Sequence, residues 1–329
     1  MLAVIGAGLT LYLLFGGADF GGGVWDLFAR GTAHERERDL IADAIGPVWE
    51  ANHVWLIFVV TLLFAAFPRA FSTLSVALYL PFSIAIAGIV LRGAAFAFRA
   101  HGELGTGWQR TWTRVFGIAS LVTPLVFGMA AAAISSGRIR VLDDAVRAPL
   151  VGVWTGPLSL IAGPLLVAMC AYLAATYLTV EAHERHASDL EDAFRRRAIA
   201  TAVVAGALAL AGLVAMPSAA PVLWAGMRRV GWPLAVVSAL GGVGSVAAHV
   251  ARRFQLARVL AAVAVVGVVA GWGVAQWPYL IVPDVTVGDA AAPVGSLRPV
   301  AIGSVLGGML LAPSLLLLFR VFKSSRREA

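Results

Sequence analysis

Residues 1–28 read MLAVIGAGLTLYLLFGGADFGGGVWDLF, and this stretch decides the class of fold. Between Met1 and Trp25 the only charge is Asp19. The run exceeds the ~20 helical residues that cross a bilayer's hydrocarbon, and it lacks the short alternating segments of a membrane barrel. A carboxylate deep in such a span costs roughly 2.5–3.5 kcal/mol even on the lenient insertion scale, so Asp19 implies a partner, protonation or water access. The glycines around it (Gly16, Gly17, Gly21, Gly22, Gly23) weaken a helix and admit close backbone contact. Asp26 lies seven residues on, which in a continuing helix puts both acids on one face. The start has no basic n-region and no convincing cleavage site, so it reads as a retained first span.

The same pattern recurs along the chain. Hydrophobic residues make up 60% of the 329 positions and charged ones 13%, against roughly 25% charged in a soluble domain. Nine candidate spans follow: approximately 1–27, 48–67, 74–98, 115–135, 157–180, 198–216, 231–249, 258–277 and 299–320. The expectation is an all-α polytopic membrane protein, one integral-membrane domain over 1–329, with no soluble domain. Pro81, Pro124, Pro164 and Pro313 fall inside spans, where each is expected to kink its helix. The short seventh span carries Gly241-Gly242-Val243-Gly244, read as a helix contact. Cys170, the one cysteine, excludes an internal disulfide, a CxxCH haem attachment and a cysteine-ligated cluster within the chain.

A net charge of +7 would suggest nucleic acid in a soluble protein, but here the basic residues sit between apolar runs and set orientation instead. With the N-terminus outside, 18 of the 25 Lys/Arg fall on the inner side and 7 on the outer. The N-terminus is therefore expected outside and the C-terminus, Lys323-Ser324-Ser325-Arg326-Arg327, in the cytoplasm. On the first inner loop, Ala33 to Ile45 has the pattern of a short amphipathic helix at the interface. Glu181 to Arg197 reads as a mixed-charge connector, and both segments are expected to be solvated.

A second motif, Ile45-Gly46-Pro47-Val48-Trp49-Glu50-Ala51-Asn52-His53-Val54-Trp55-Leu56-Ile57, opens the second span. Pro47 suits a first helical turn. Glu50 falls in that turn near the inner interface, with His53 at i+3 on its face. A carboxylate and an imidazole so placed could relay protons from the cytoplasm. The plainer reading is an acid that snorkels or pairs with a basic neighbour, Arg92 or Arg99. His53 as a haem ligand is disfavoured, because no second ligand pattern stands out. His249, beside Arg252 and Arg253, is expected at the interface, where most of the ten tryptophans also belong.

These two motifs carry a family resemblance. Gly17 to Gly23 resembles the "DGFDxGxG" segment of the first helix in subunit II of cytochrome bd-type quinol oxidases. The likeness continues through Glu37-Arg38-Asp39, through Ile45 to Ile57 (the family's "IxPxW(D/E)xNxVWL"), through Leu63 to Pro68, and through Leu91 to Arg99. The motifs cover the first third densely, and the rest agrees in length, span number and orientation. The resemblance implies two four-helix bundles plus one helix. It also implies a heterodimer in a bacterial cell membrane with a homologous subunit I that holds haems b558, b595 and d and the quinol site. Small accessory subunits are an open matter. No cofactor, metal or nucleic acid is expected on this chain. The complex would oxidise quinol and reduce O2 to water with cytoplasmic protons.

Carried over by position, Glu50 matches the family's membrane acid at the proton entry, and Asp19 matches the acid of the first-helix motif, with His53 as a helper. Trp55 matches a tryptophan near the proposed lipid-side oxygen entrance. Gly16 stands where many members have a second Asp, and Val48 where some have His, so proton wiring near the first helix can differ. Two other readings stand beside this one: a proton-coupled secondary transporter with Asp19 in a Gly-broken helix, and a purely structural subunit.

Overall fold

A computed structural model of the chain describes residues 1–29, 34–45, 49–101 and 107–324. Among them, eight helices are each long and apolar enough to cross a membrane, and a bent pair supplies a ninth candidate span. The long helices are α1 (Leu2–Phe28), α3 (Trp49–Ala66), α5 (Tyr79–His101), α6 (Gly107–Ser135), α7 (Pro157–Glu184), α8 (Ser188–Ala219), α10 (Trp232–Val250), α11 (Phe254–Gln276) and α13 (Val294–Ser324). Short elements join them: α2 (His34–Ile45), α4 (Pro68–Ala77), α9 (Pro221–Gly226) and α12 (Val287–Ala290). Each of the nine expected spans has its helix.

Helices α1, α3, α5 and α6 form one group, and α7, α8, α10 and α11 a second. The groups join along α1, α6 and α7, and α13 packs on α3. In the central α6 and α7, 61% of the apolar window is buried within the chain, against 6% in α8 and none in α13. This is the expected arrangement of two four-helix bundles plus one helix.

The second span ends where the sequence predicts, but the third begins at Tyr79, not near residue 74, because a short helix intervenes. The second span stops at Phe67, and the chain turns by 117° into α4 before α5 begins. Phe67 precedes Pro68 and leaves the helical conformation, at φ −137° and ψ 60°, because the proline ring disfavours the helical one. Pro81 accordingly sits in the first turn of α5, where its missing N–H costs nothing and no kink is needed. Pro124, Pro164 and Pro313 do lie inside helices.

Two hairpins, which an all-helical expectation omits, cap the end where α6 and α11 finish. The first pairs β1 (Arg140–Leu142) with β2 (Ala145–Arg147) across Asp143 and Asp144, both at positive φ as a tight hairpin turn requires. The second pairs β3 (Tyr279–Ile281) with β4 (Val285–Thr286). Asp284 ties them together, accepting from Arg140 Nε and from the Val141 amide, each at 2.8 Å.

At the opposite end, α2 is helical as expected but not simply solvated. Leu40 and Ile41 are buried against Leu178, Ala182, Leu190 and Phe194 of α7 and α8. Its charged face pairs with the mixed-charge connector: Glu37 with Arg197 at 2.9 Å, Arg36 with Asp189 at 2.6 Å, and Asp43 with Arg185 at 2.9 Å. The two stretches read as solvated are one ion-paired belt. Its apolar side needed a surface, and the bundle supplies it.

Candidate functional site

The inner half of α1 is the centre of the molecule. From Gly16 to Asp26, all but Ala18 and Trp25 are buried, so this segment touches neighbours on every side. Glycine makes that possible. A Cβ at Gly21 would fall on the Cys170 carbonyl of α7, and one at Gly23 on the Ser120 hydroxyl of α6. Packing restores what the glycines cost in helix propensity, and α1 runs unbroken from Leu2 to Phe28. The transporter reading, which needed a broken helix here, loses its main support.

Into this dry centre α1 brings Asp19, 4% exposed. Its Oδ2 accepts a hydrogen bond from Asn52 Nδ2 on α3 at 2.6 Å. The Arg92 guanidinium of α5, 1% exposed, lies near enough for its charge and that of Asp19 to act on each other. Arg92 is held by Nε donating to Ser120 Oγ at 3.1 Å, and between the rings of Phe20 and Phe116 at 5.0 and 5.1 Å. Among the described residues, its Nη2 has no hydrogen-bond partner. A guanidinium sandwiched by aromatic faces keeps its charge at less cost than one surrounded by aliphatic groups.

Seven residues along, the pattern repeats in a different form. Asp26 accepts from Arg38 Nε at 2.9 Å and from Arg99 Nη1 at 2.5 Å, so its two oxygens each meet a cation. Helices α1 and α5 run the same way, and acids at 19 and 26 meet arginines at 92 and 99 with equal spacing. Arg99 is thus an ion-pair partner, as expected, but of Asp26. Arg92 instead donates to the Ser120 hydroxyl, with Asp19 acting on it through charge.

His53 is half-buried on α3, with its ring 6.1 Å from those of Tyr12 and Phe20. It lies beside the Asp19 site. Trp55 sits edge-on to Phe58 at 6.4 Å and packs against the buried cluster of Tyr12, Phe20 and Cys170. Glu50 has its backbone in the first turn of α3, as expected, while its side chain lies outside the described residues, as does Pro47. The structure therefore brings together Asp19, His53, Arg92 and, through Asp26, Arg99.

Sequence reasoning missed Asn52 and Ser120. Asn52 stands inside the quoted motif, but a neutral amide one turn into a helix carries no cost that singles it out. His249 is a correction. It is fully buried at the end of α10, with Nε2 3.2 Å from Thr176 Oγ1, not turned to the interface. The glycines of α10 behave as expected at Gly241, which packs against the backbone of Leu260 and Ala264, while Gly242 has open space. Among the described residues, no group of three His, Cys, Asp or Glu side chains converges as a metal site would.

Comparison with known proteins agrees with this arrangement. A family model described as "Cytochrome bd terminal oxidase subunit II" matches residues 1–322. "Cytochrome bd ubiquinol oxidase subunit 2" of Bacillus subtilis (strain 168) is 31% identical over 201 residues, covering 60% of this chain and 57% of that one. "Putative cytochrome bd menaquinol oxidase subunit II" of the same organism is 21% identical over 334 residues, covering 99% and 95%. "Cytochrome bd-I ubiquinol oxidase subunit 2" of Escherichia coli (strain K12) is 30% identical over 178 residues, covering 53% and 46%. The chain thus spans about half the length of the first and third of these relatives. In fold, it is similar to a chain of "The structure of bd oxidase from Geobacillus thermodenitrificans", with a TM-score of 0.75 at 23% identity over 98% of each. With its motifs, its helices and a family model over nearly its whole length in agreement, the chain belongs to the cytochrome bd terminal oxidase subunit II family.

Proposed function

We propose that the chain serves as subunit II of a cytochrome bd-type quinol oxidase, paired with a haem-bearing subunit I that oxidises quinol and reduces O2 to water. The relatives' names include both ubiquinol and menaquinol, which supports quinol as the substrate class. The chain's own part is twofold: it braces the haem subunit, and it carries protons inward from the cytoplasmic face. The observation that carries the second role is Asp19, a buried carboxylate held by a neutral amide beside a buried guanidinium.

The chemistry follows from that setting. Glu50, at the inner end of α3, takes up a proton from the cytoplasm and passes it toward Asp19. Asn52 fixes the Asp19 carboxyl by donating to Oδ2. Arg92 stabilises the carboxylate that remains when the proton moves on, so Asp19 can release as well as accept. Phe20 and Phe116 shield the guanidinium from water. His53 contributes a second titratable group within reach of the same space. Trp55 and the apolar cluster behind it offer oxygen a route that needs no charged guide.

Co-expression with a haem-subunit gene from the same organism tests the assignment. Haem absorbance, a second large polypeptide and quinol-dependent O2 consumption are expected in the purified material. A chain that purifies alone, without haem, and moves a solute with protons would instead be a transporter.

A further inference from the structure

We propose that the hairpin end of the second bundle binds an anionic phospholipid, its phosphate held by Arg228 and Arg229. The site begins with a break. Ala220, non-helical at φ −152° and ψ 69° before Pro221, ends α8, and α9 turns back as the start of the next span. The five residues Met227–Gly231 then form a π-helical turn, a local widening that recurs at functional sites. Two small residues hold this turn against α11: a Cβ at Gly226 would fall on the Ala275 carbonyl, and one at Gly231 would crowd Met227 and Ala275. The backbone of α9 is thereby seated on α11, and a cleft of about 280 Å³ opens beside the contact, with Arg229, Trp277 and Tyr279 in its wall.

Charge at this cleft is not neutralised by the protein. Arg228 stacks on the Trp224 ring at 5.6 Å, and among the described residues no carboxylate pairs with Arg228 or Arg229. Three of the acids at this end are already engaged, Asp284 by Arg140, Asp144 by Arg69 and Asp289 by Thr286, and Asp143 lies in the β1–β2 turn. Both arginines are exposed and lie on the side expected to be poor in positive charge. Their surroundings are those of a lipid headgroup. Trp232 and Trp277 are about half exposed, as aromatic side chains at the headgroup level are. Val236, Val237 and Leu240 continue the exposed apolar face of α10 from there into the span. Guanidinium above and bare aliphatic surface below match a phosphate with acyl chains attached, and basic pockets between membrane helices bind such headgroups.

The test uses the assembled complex in nanodiscs of phosphatidylcholine, with or without phosphatidylglycerol, and counts retained lipid by native mass spectrometry. Wild type is expected to retain phosphatidylglycerol in preference to phosphatidylcholine, and R228Q/R229Q to hold it about tenfold less tightly. Arg229→Lys keeps the charge but loses the two-pronged contact, so it should fall between them. Arg253→Gln, at the far end of the same bundle, should change nothing. Inorganic phosphate added to wild type should not displace the lipid. Equal retention of the two lipids by wild type overturns the site without recourse to any variant. So does a double variant that assembles and binds as wild type does, or displacement by free phosphate.

Discussion

Asp19 and Asp26 share a helix face and an equal spacing to the two arginines of α5, yet their settings differ in kind. Asp26 has a cation on each oxygen, from two different elements, and so ties α1 to α2 and α5. Asp19 has a neutral amide as its hydrogen-bond donor. A carboxylate saturated by two guanidinia is an anchor, whereas one poised by an amide and a nearby charge can exchange a proton. Removing one member of a buried ion pair costs about 3–5 kcal/mol, because the remaining charges are stranded. Asp26→Ala should therefore lower the melting temperature and yield of the complex sharply, and Arg99→Gln should do so less because Arg38 remains. Normal yield from Asp26→Ala would remove its anchoring role. The sequence displayed both acids, since a charge in an apolar run is costly wherever it points. It did not display Asn52 or Ser120, because a neutral polar side chain in a helix is cheap and common.

The elements were legible where length and composition alone specify them, and less so where two apolar segments meet. The break at Phe67 was legible because Pro68 marks it, but the short helix α4 beyond it escaped because it leads from one apolar run into the next. The docking of α2 escaped for a related reason: Leu40 and Ile41 declare an apolar face but not what covers it. Close packing of α1 on α7 yields a prediction with its own control. Gly21→Ala places a methyl group on the Cys170 backbone, which cannot move aside, and should cost about 3 kcal/mol or block assembly. Gly206→Ala on the lipid-facing α8 meets nothing within 4 Å and should be neutral or mildly stabilising. Thermal denaturation of both variants decides, and equal behaviour would contradict the packing.

The hairpin clamp gives a pH signature. The Arg140 hydrogen bond, with help from the Val141 amide and the Arg140 charge, holds the Asp284 carboxyl below its usual range. A group whose folded pKa is depressed adds stability above its unfolded value, ~3.9 for Asp. That contribution fades as pH falls from there through the folded value. Asp284→Asn should therefore lower the melting temperature at neutral pH and lose its difference from wild type in strong acid. A difference independent of pH would mean that the clamp works by shape alone.

At the scale of the whole molecule, two bundles share α1, α6 and α7 at their seam, and the ion-paired belt and the paired hairpins close opposite ends. From the distribution of basic residues we propose that the belt faces the cytoplasm. A reporter fused after Arg327 should be active only if it is of the cytoplasmic kind, and activity of an export-dependent reporter would invert the whole reading. In the route we propose, protons pass from the Glu50 end of α3 toward Asp19. The most direct test of that route is proton uptake during turnover by the assembled complex in sealed vesicles, comparing wild type, Asp19→Asn and Asp19→Glu at equal haem content. Asp19→Asn preserves shape and removes the titratable group, so proton uptake and O2 consumption should fall together by about 10²-fold, the low end of what a positioned acid–base group supplies. Asp19→Glu should restore much of both. Full turnover with normal proton uptake in a fully assembled Asp19→Asn complex would show that Asp19 carries no protons.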